Sequence, residues 1–253
     1  MSAAAPSFRL DGRRVLVTGA GRGIGLAIAQ ACAASGGEVT LCARTASEIG
    51  EAAAELRAQG FEAEALVADV TDVAGFAALI AARPAFDAFV NNAGTNRPKP
   101  LTEVTEEDYD AVLGLNLRSA IFAAKAVTAR MIDAGRGGSV INMSSQMGHV
   151  GAAHRTLYCA SKWGLEGFTK ALAVELAPHR IRVNTICPTF IETPMTEPYF
   201  RDPAFKAEVL SKIPLGRTGR VDEVAGAAVF LASDSASLMT GSALMLDGGW
   251  TAL

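Results

Sequence analysis

Thr18-Gly19-Ala20-Gly21-Arg22-Gly23-Ile24-Gly25 lies between the apolar run Arg13 to Thr18 and the helically spaced run Leu26 to Ala34. Glycines at this density let the backbone turn tightly and bring its N–H groups up to an anion, while the following helix points its positive end at the same place. Strand, glycine turn and helix in that order make a cradle for a dinucleotide diphosphate. The competing reading is a turn that merely joins a strand to a packed helix. The spacing is T-G-x-x-x-G-x-G and not G-x-G-x-x-G, so the rest of a nucleotide site must be sought at the ends of the other strands.

Outward from this turn, runs rich in Val, Ile and Leu recur near 13–18, 38–43, 62–68, 86–91, 138–143, 181–187 and 243–246, and most gaps between them carry helical apolar spacing. The runs are nearly continuous and do not alternate, so both faces of the sheet are covered, which requires parallel strands joined by right-handed helical crossovers. The expected fold is α/β: a single doubly wound Rossmann-type domain over 1–253, with a mostly parallel seven-stranded sheet and helices on both faces. Long helices are expected over 106–134 and 157–177, the second stopped by Pro178. Between 194 and 216, Pro194, Pro198, Pro203 and Pro214 break up a short helical patch, the pattern of an insertion that covers a substrate.

The chain has 253 residues, 50% hydrophobic and 19% charged, and by area scaling it can bury on the order of 70% of its surface. A formal charge of -3 supplies no basic field for nucleic acid. No stretch approaches the ~20 uninterrupted apolar residues of a spanning helix, and Met1 to Leu10 lacks signal architecture. A cytoplasmic location without a nucleic-acid or membrane partner is the expectation. Cys32, Cys42, Cys159 and Cys187 are scattered and histidines number 3, a pattern that suggests neither zinc nor disulfides, so no metal is expected.

The end of the second strand bears on which dinucleotide the cradle would hold. An acid there would bind the ribose 2′-hydroxyl of NAD, and Val39-Thr40-Leu41-Cys42-Ala43-Arg44-Thr45 has none. Arg44 beside the uncovered Ala43 suits a 2′-phosphate, which favours NADP with NAD as the alternative. The bland view is a solvated Arg44 paired with Glu48 or Glu51. Asn91-Asn92-Ala93-Gly94 follows the fourth apolar run, at a carboxyl strand end where open α/β sheets bind ligands, although a plain turn uses the same residue types.

Tyr158 and Lys162 are one helical turn apart and share a face. A nearby ammonium favours the phenolate and lowers its pKa by about 1–3, turning a poor proton carrier into a usable acid and base. Ser144-Ser145 follows the fifth strand and faces the same crevice; a hydroxyl there can hold a carbonyl oxygen as charge develops, although most such serines are caps. Asn116 is a poor helix former in apolar surroundings, either a satisfied core amide or a point where the helix bends or takes in water.

These motifs, in order from Leu10 to Trp250, resemble the short-chain dehydrogenase/reductase family. The resemblance implies reversible hydride transfer between nicotinamide C4 and a carbonyl or secondary alcohol carbon, with Asn116, Ser145, Tyr158 and Lys162 as the catalytic residues. It selects Ser145 over Ser144, because Ser145 heads Ser145-Gln146-Met147-Gly148 and stands thirteen positions before Tyr158. Lys162 would also grip the nicotinamide ribose, and Asn116 would hold a relay water. Cofactor contacts are implied for Gly19, Arg22, Gly23, Ile24, Gly25, Arg44, Val70, Asn91, Ala93, Gly94, Tyr158 and Pro188, for Asp69 at the adenine amino group, and for Ile191 and Thr193 at the carboxamide. Thr189 stands where the family carries glycine, so that turn must form without left-handed backbone freedom.

Asn96, Gln146, His149, His154, Phe190, Met195 and Tyr199, with Ser145, are the candidate substrate contacts, a mixture that leans toward a small polar carbonyl compound. Arg97, Lys99 and Arg155 could meet an anionic group, with a surface charge preferred for each. By resemblance the substrate is a sugar, polyol, keto acid or 3-oxoacyl compound, and the helices 106–134 and 157–177 with Gly241 to Leu253 would form a homotetramer. The alternative of another class is a non-catalytic NADP-binding sensor or scaffold.

Overall fold

Val15, Leu16 and Val17 have no exposed surface, and their strand accordingly lies inside a sheet covered on both sides. The computed structural model describes residues 7–252; residues 1–6 and 253, the ends of the expected domain and of its C-terminal segment, lie outside the described residues. The strands are β1 (Arg14–Thr18), β2 (Glu38–Ala43), β3 (Ala63–Val67), β4 (Ala88–Asn91), β5 (Gly138–Met143), β6 (Ile181–Pro188) and β7 (Ala243–Leu246). They form one sheet in the order β3-β2-β1-β4-β5-β6-β7. Every pairing is parallel, as buried, non-alternating strands require. The chain winds to one side as far as β3 and then restarts on the other at β4. That reversal opens a crevice at the carboxyl ends of β1 and β4.

Successive residues of β1 face opposite ways and seed two cores. Val15 and Val17 pack with Ile28 of α1 (Gly23–Ala34), Ile49 of α2 (Ala46–Ala58) and Val224 of α9 (Val221–Ala232). Leu16 packs with Phe76 of α3 (Val73–Ala81), Phe89, and Val127 of α5 (Ser119–Ala134). Each of these large side chains contributes about 1.5–3 kcal/mol by leaving water, so the sheet is a rigid base for the loops at its carboxyl edge.

The run 106–134 is not one helix. α4 (Glu106–Leu113) opens on a capping box between Thr105 and Asp108, a π turn occupies Gly114–Arg118, and α5 follows. An 18-residue window within the run reaches a mean hydropathy of 1.2, apolar enough by length and composition to cross a membrane. Here Val112, Ala123, Val127 and Met131 are buried within the fold. α6 (Thr156–Leu176) matches expectation to one residue at each end. The proline-rich segment after β6 holds α7 (Glu197–Phe200) and α8 (Pro203–Ser211).

Candidate active site

The glycine turn is built as a cradle. Gly19 and Gly23 take φ of 64° and 57°, and a Cβ on Gly25 would sit 2.2 Å from the Gly19 carbonyl oxygen. Arg22 is the N-cap of α1 and no side chain caps that helix, so its first N–H groups remain available to an anion. These residues fit a dinucleotide diphosphate. The turn is fastened to β4 by Asn92, whose Nδ2 donates to the Thr18 and Gly19 carbonyls at 2.9 and 3.3 Å.

Asn91 is a correction. Its amide is buried and donates to the Ala120 carbonyl and to Asn142 Oδ1, at 2.9 and 3.0 Å, tying β4 to α5 and β5. Asn92, Ala93 and Gly94 line the cleft in its place. Strand alternation sends the two neighbouring amides to different surroundings.

At one end of the cleft lie Ala43, Arg44, Asp69 and Val70. Arg44 reaches Asp69 at 3.8 Å and not Glu48 or Glu51, and both partners stay partly exposed. The other Asp69 oxygen accepts from the Thr71 N–H and hydroxyl. Glu48, which sequence reading left outside the site, lies against Gly21 and lines the cleft. At the other end are Pro188, Thr193, Pro194 and Met195. Ile191 is buried behind them and bridges to Gly219. Thr189 is not among the residues with positive φ, so the turn does form without left-handed backbone, and its hydroxyl is buried with no partner.

Tyr158 and Lys162 rise from the first two turns of α6 to the middle of the cleft. Lys162 Nζ donates to the Met143 carbonyl at 2.7 Å and lies 5.5 Å from the centre of the Tyr158 ring. Ser145 is the serine that faces Tyr158, and its hydroxyl helps to hold the phenol's pKa down. The Ser144 hydroxyl turns toward Gly148 and Cys187. Ser145 Oγ donates to Gln146 Oε1 at 2.7 Å and accepts from the Met147 N–H at 3.1 Å. Asn116 sits in the π turn, its amide joined to both backbone groups of Thr95 at 2.8 Å and donating to Ser161 Oγ at 3.2 Å. Its side chain has one acceptor lone pair left, so it is first of all a clamp between the π turn and the β4 loop.

The electrostatics differ from the sequence expectation. Burial raises the Tyr158 pKa above the ordinary phenol value, against the lowering effects of Ser145 and the Arg155 guanidinium. The lysine does not reverse this, because it is itself buried, which pushes its pKa down to about 8 against the raising effects of Cys187 and Glu166. In the absence of ligand the phenol is a held proton and the ammonium is on the edge of losing its own.

Of the substrate candidates, Met195 lines the cleft. Phe190 stacks with Trp250 at 6.0 Å and meets Phe200 and Phe205 edge-on. Tyr199 packs on Phe205 at the start of the proline-rich segment, and Asn96 is half-buried beside Thr95. Gln146 is buried with Nε2 unpartnered. His154 is exposed and has left-handed backbone, φ 60°, so it is a turn residue. His149 is turned toward Cys187 and Glu166, at 3.4 and 3.5 Å from its Nε2. Spacing along the chain does not announce that group: β6, α6 and the β5–α6 loop bring it together. Among the described residues, His149, Glu166 and Cys187 are the one set of potential metal ligands, mutually within 4.8 Å. Burial and Glu166 push the Cys187 thiol up to about 12, and it donates to Glu166 Oε1 at 3.3 Å, so the set as it stands is a hydrogen-bonded network behind Lys162.

A family described as enoyl-(acyl carrier protein) reductase matches residues 19–251. The L-xylulose reductase of Bos taurus is 38% identical over 97% of this chain and 99% of its own. The chain belongs to the short-chain dehydrogenase/reductase family. This short-chain dehydrogenase/reductase is also 40% identical to the D-threitol dehydrogenase of Mycolicibacterium smegmatis, over 96% of this chain and 95% of that one. The crystal structure of a gluconate 5-dehydrogenase from Burkholderia cenocepacia, in complex with NADP and tartrate, superposes with a TM-score of 0.94 at 36% identity, over 98% of each chain.

Proposed function

We propose that this member of the family is an NADP-dependent oxidoreductase that interconverts a carbonyl and a secondary alcohol on a small sugar, polyol or sugar-like acid. The observation that carries the reading is that Tyr158 and Lys162 line the same cleft as the uncapped glycine turn, with the Ser145 hydroxyl beside the Tyr158 phenol. Relatives named for xylulose, threitol and gluconate support the substrate class. Arg44 at the cleft wall, with no acid at the end of β2, supports NADP over NAD.

A bound nicotinamide supplies the hydride, and this chain's residues manage the oxygen and its proton. In reduction Tyr158 donates its proton to the carbonyl oxygen, a task suited to a phenol whose pKa is raised. Ser145 steadies the same oxygen. A half-turn of the Gln146 carboxamide would let its unpartnered Nε2 donate to Ser145, which then has two donors and a free proton for the substrate. Lys162 carries positive charge beneath the phenol and resupplies protons, while Asn116 holds the β4 loop against α6. The loop with α7 and α8 covers the substrate. The sensor reading has nothing to favour it, since no member of the tetrad is missing. Assembly as a cytoplasmic homotetramer through α5 and α6 is part of the same proposal.

The test is a panel of ketoses, polyols and sugar acids followed at the nicotinamide absorbance with NADP(H) and NAD(H). Turnover is expected with NADP(H) on at least one of them. In Tyr158→Phe, kcat should fall by several orders of magnitude, about 10³-fold or more, while NADPH affinity stays nearly intact; equal turnover would reject the assignment.

A further inference from the structure

Arg97 and Lys99 in the loop after β4 and Arg155 at the start of α6 are three cations beside the catalytic helix, and the structure separates them. Lys99 Nζ is held by Asp108 at 2.6 Å, and Arg97 by Asp108 and Glu107 at 3.2 and 3.0 Å. Arg155 is different. It is 8% exposed, yet among the described residues its guanidinium forms no ion pair and no side-chain hydrogen bond. It lies over the Tyr199 ring, 5.4 Å from the centroid, and close enough to Tyr158 and Tyr199 for its charge to act on both phenols. The groups that act most on its charge are Tyr199, Tyr158 and Cys159, and burial works against that charge.

The Arg155 nitrogens keep some contact with water, yet a largely covered charge without a partner is costly, and buried charges in proteins are normally paired. Here local structure keeps the cost in place. His154 adopts left-handed backbone immediately before it, and the His154 carbonyl is fastened by the Lys99 N–H at 3.0 Å. Strain of this kind in a non-glycine residue clusters where a side chain must be aimed. Arg155 is also the N-cap of α6, with no side chain capping that 21-residue helix, so the positive end of its dipole lies on the same side.

We propose that Arg155 is the docking site for a carboxylate of the substrate, which makes a hydroxy or keto acid of the sugar series, and not a neutral polyol, the preferred substrate. The proposal rests on the oxidoreductase reading of this cleft. Arg155 precedes Tyr158 by one helical turn, so a carboxylate on the guanidinium fork and a carbonyl at the phenol are joined by a short polyol chain. One guanidinium balances one carboxylate. A phosphate monoester, at about -2, would leave charge unmatched, and the two cations that could complete its site are already paired.

The test compares gluconate and 5-ketogluconate with neutral polyols and ketoses of similar length, in the wild-type enzyme, Arg155→Met and Arg155→Lys. The wild type should favour the acid. The acid-to-neutral ratio of kcat/KM should fall about 30-fold or more in Arg155→Met, chiefly through KM, and recover partly in Arg155→Lys, which keeps the charge without the fork. Thermal melting of each variant checks that it folds. A wild type that favours the neutral substrate, or a ratio within twofold in Arg155→Met, overturns the proposal and leaves the oxidoreductase reading standing. Should no compound turn over, calorimetric titration with tartrate decides the subsite alone: binding by the wild type and tenfold weaker binding by Arg155→Met keeps it, and equal or absent binding in both removes it.

Discussion

Lys162 shows how much a single residue's surroundings matter. Its pKa lies at about 8 because burial outweighs the pull of Cys187 and Glu166, so the charge beneath Tyr158 is lost a little above neutrality. Reduction by the wild-type enzyme is therefore expected to slow as pH rises through about 8, because a neutral lysine leaves the phenol a weaker acid. Stability moves the other way. Between the folded value near 8 and the ordinary 10.5, the unfolded chain binds more protons than the folded one, so the folded state gains stability with rising pH in that window. The stability of ligand-free wild type relative to Lys162→Met should rise from pH 7.5 to pH 10 by roughly 1–3 kcal/mol. Denaturant melts across that range check it, and a flat difference would show that the lysine keeps its proton. The motif predicted which two side chains meet; burial set the sign of the phenol's shift, and burial depends on packing that no four-residue spacing encodes.

At the scale of elements, the loops at the carboxyl strand ends are fixed by close contact, and the glycine turn is the sharpest case. Gly25→Ala would bring a methyl group to 2.2 Å from the Gly19 carbonyl oxygen and 2.5 Å from Asn92 Nδ2, which forces the cradle open. A loss of about 1–3 kcal/mol in stability is expected, with NADPH affinity reduced tenfold or more. Gly50 in α2 is the control, because a Cβ there meets nothing within 4 Å, and Gly50→Ala should stabilise by about 0.5–1 kcal/mol. Thermal melting and fluorescence titration of NADPH read both. The strands were legible because parallel, doubly covered strands need continuous apolar runs, and β1 to β7 fall where those runs do. The helix 106–134 was legible in extent but not in its break: the π turn depends on Asn116 finding Thr95 and Ser161, partners remote in sequence. The directions of Asn91 and His149 were illegible for the same reason. The residue type suits the site, but the direction of the side chain is set by Asn142 in one case and by Cys187 and Glu166 in the other.

At the scale of the whole molecule, the apolar surface is unevenly distributed. Trp163 is 54% exposed and Val174 77%, both on α6, and Phe122 on α5 is 37% exposed. Tyr158 and Lys162 stand on the same α6 that carries this outer face, so whatever covers it also braces the catalytic helix. Single exposed apolar residues need no explanation, but aromatic and branched side chains gathered on two long helices suit an interface more than solvent. A second copy of the chain is the occupant that the homotetramer proposal names, and a closed assembly of identical faces is the usual solution for such a surface. Light scattering on the wild type should return about four times the 26.2 kDa chain mass. Trp163→Glu with Val174→Glu places two carboxylates in that face, at about 2 kcal/mol or more for each one left buried and unpaired, and should lower the assembled mass at micromolar concentration. If assembly braces α6, kcat falls with it, and activity becomes dependent on enzyme concentration. A wild type that scatters as a single chain would leave the two helices as ordinary solvent-facing surface, and the double variant would then match it in both mass and turnover.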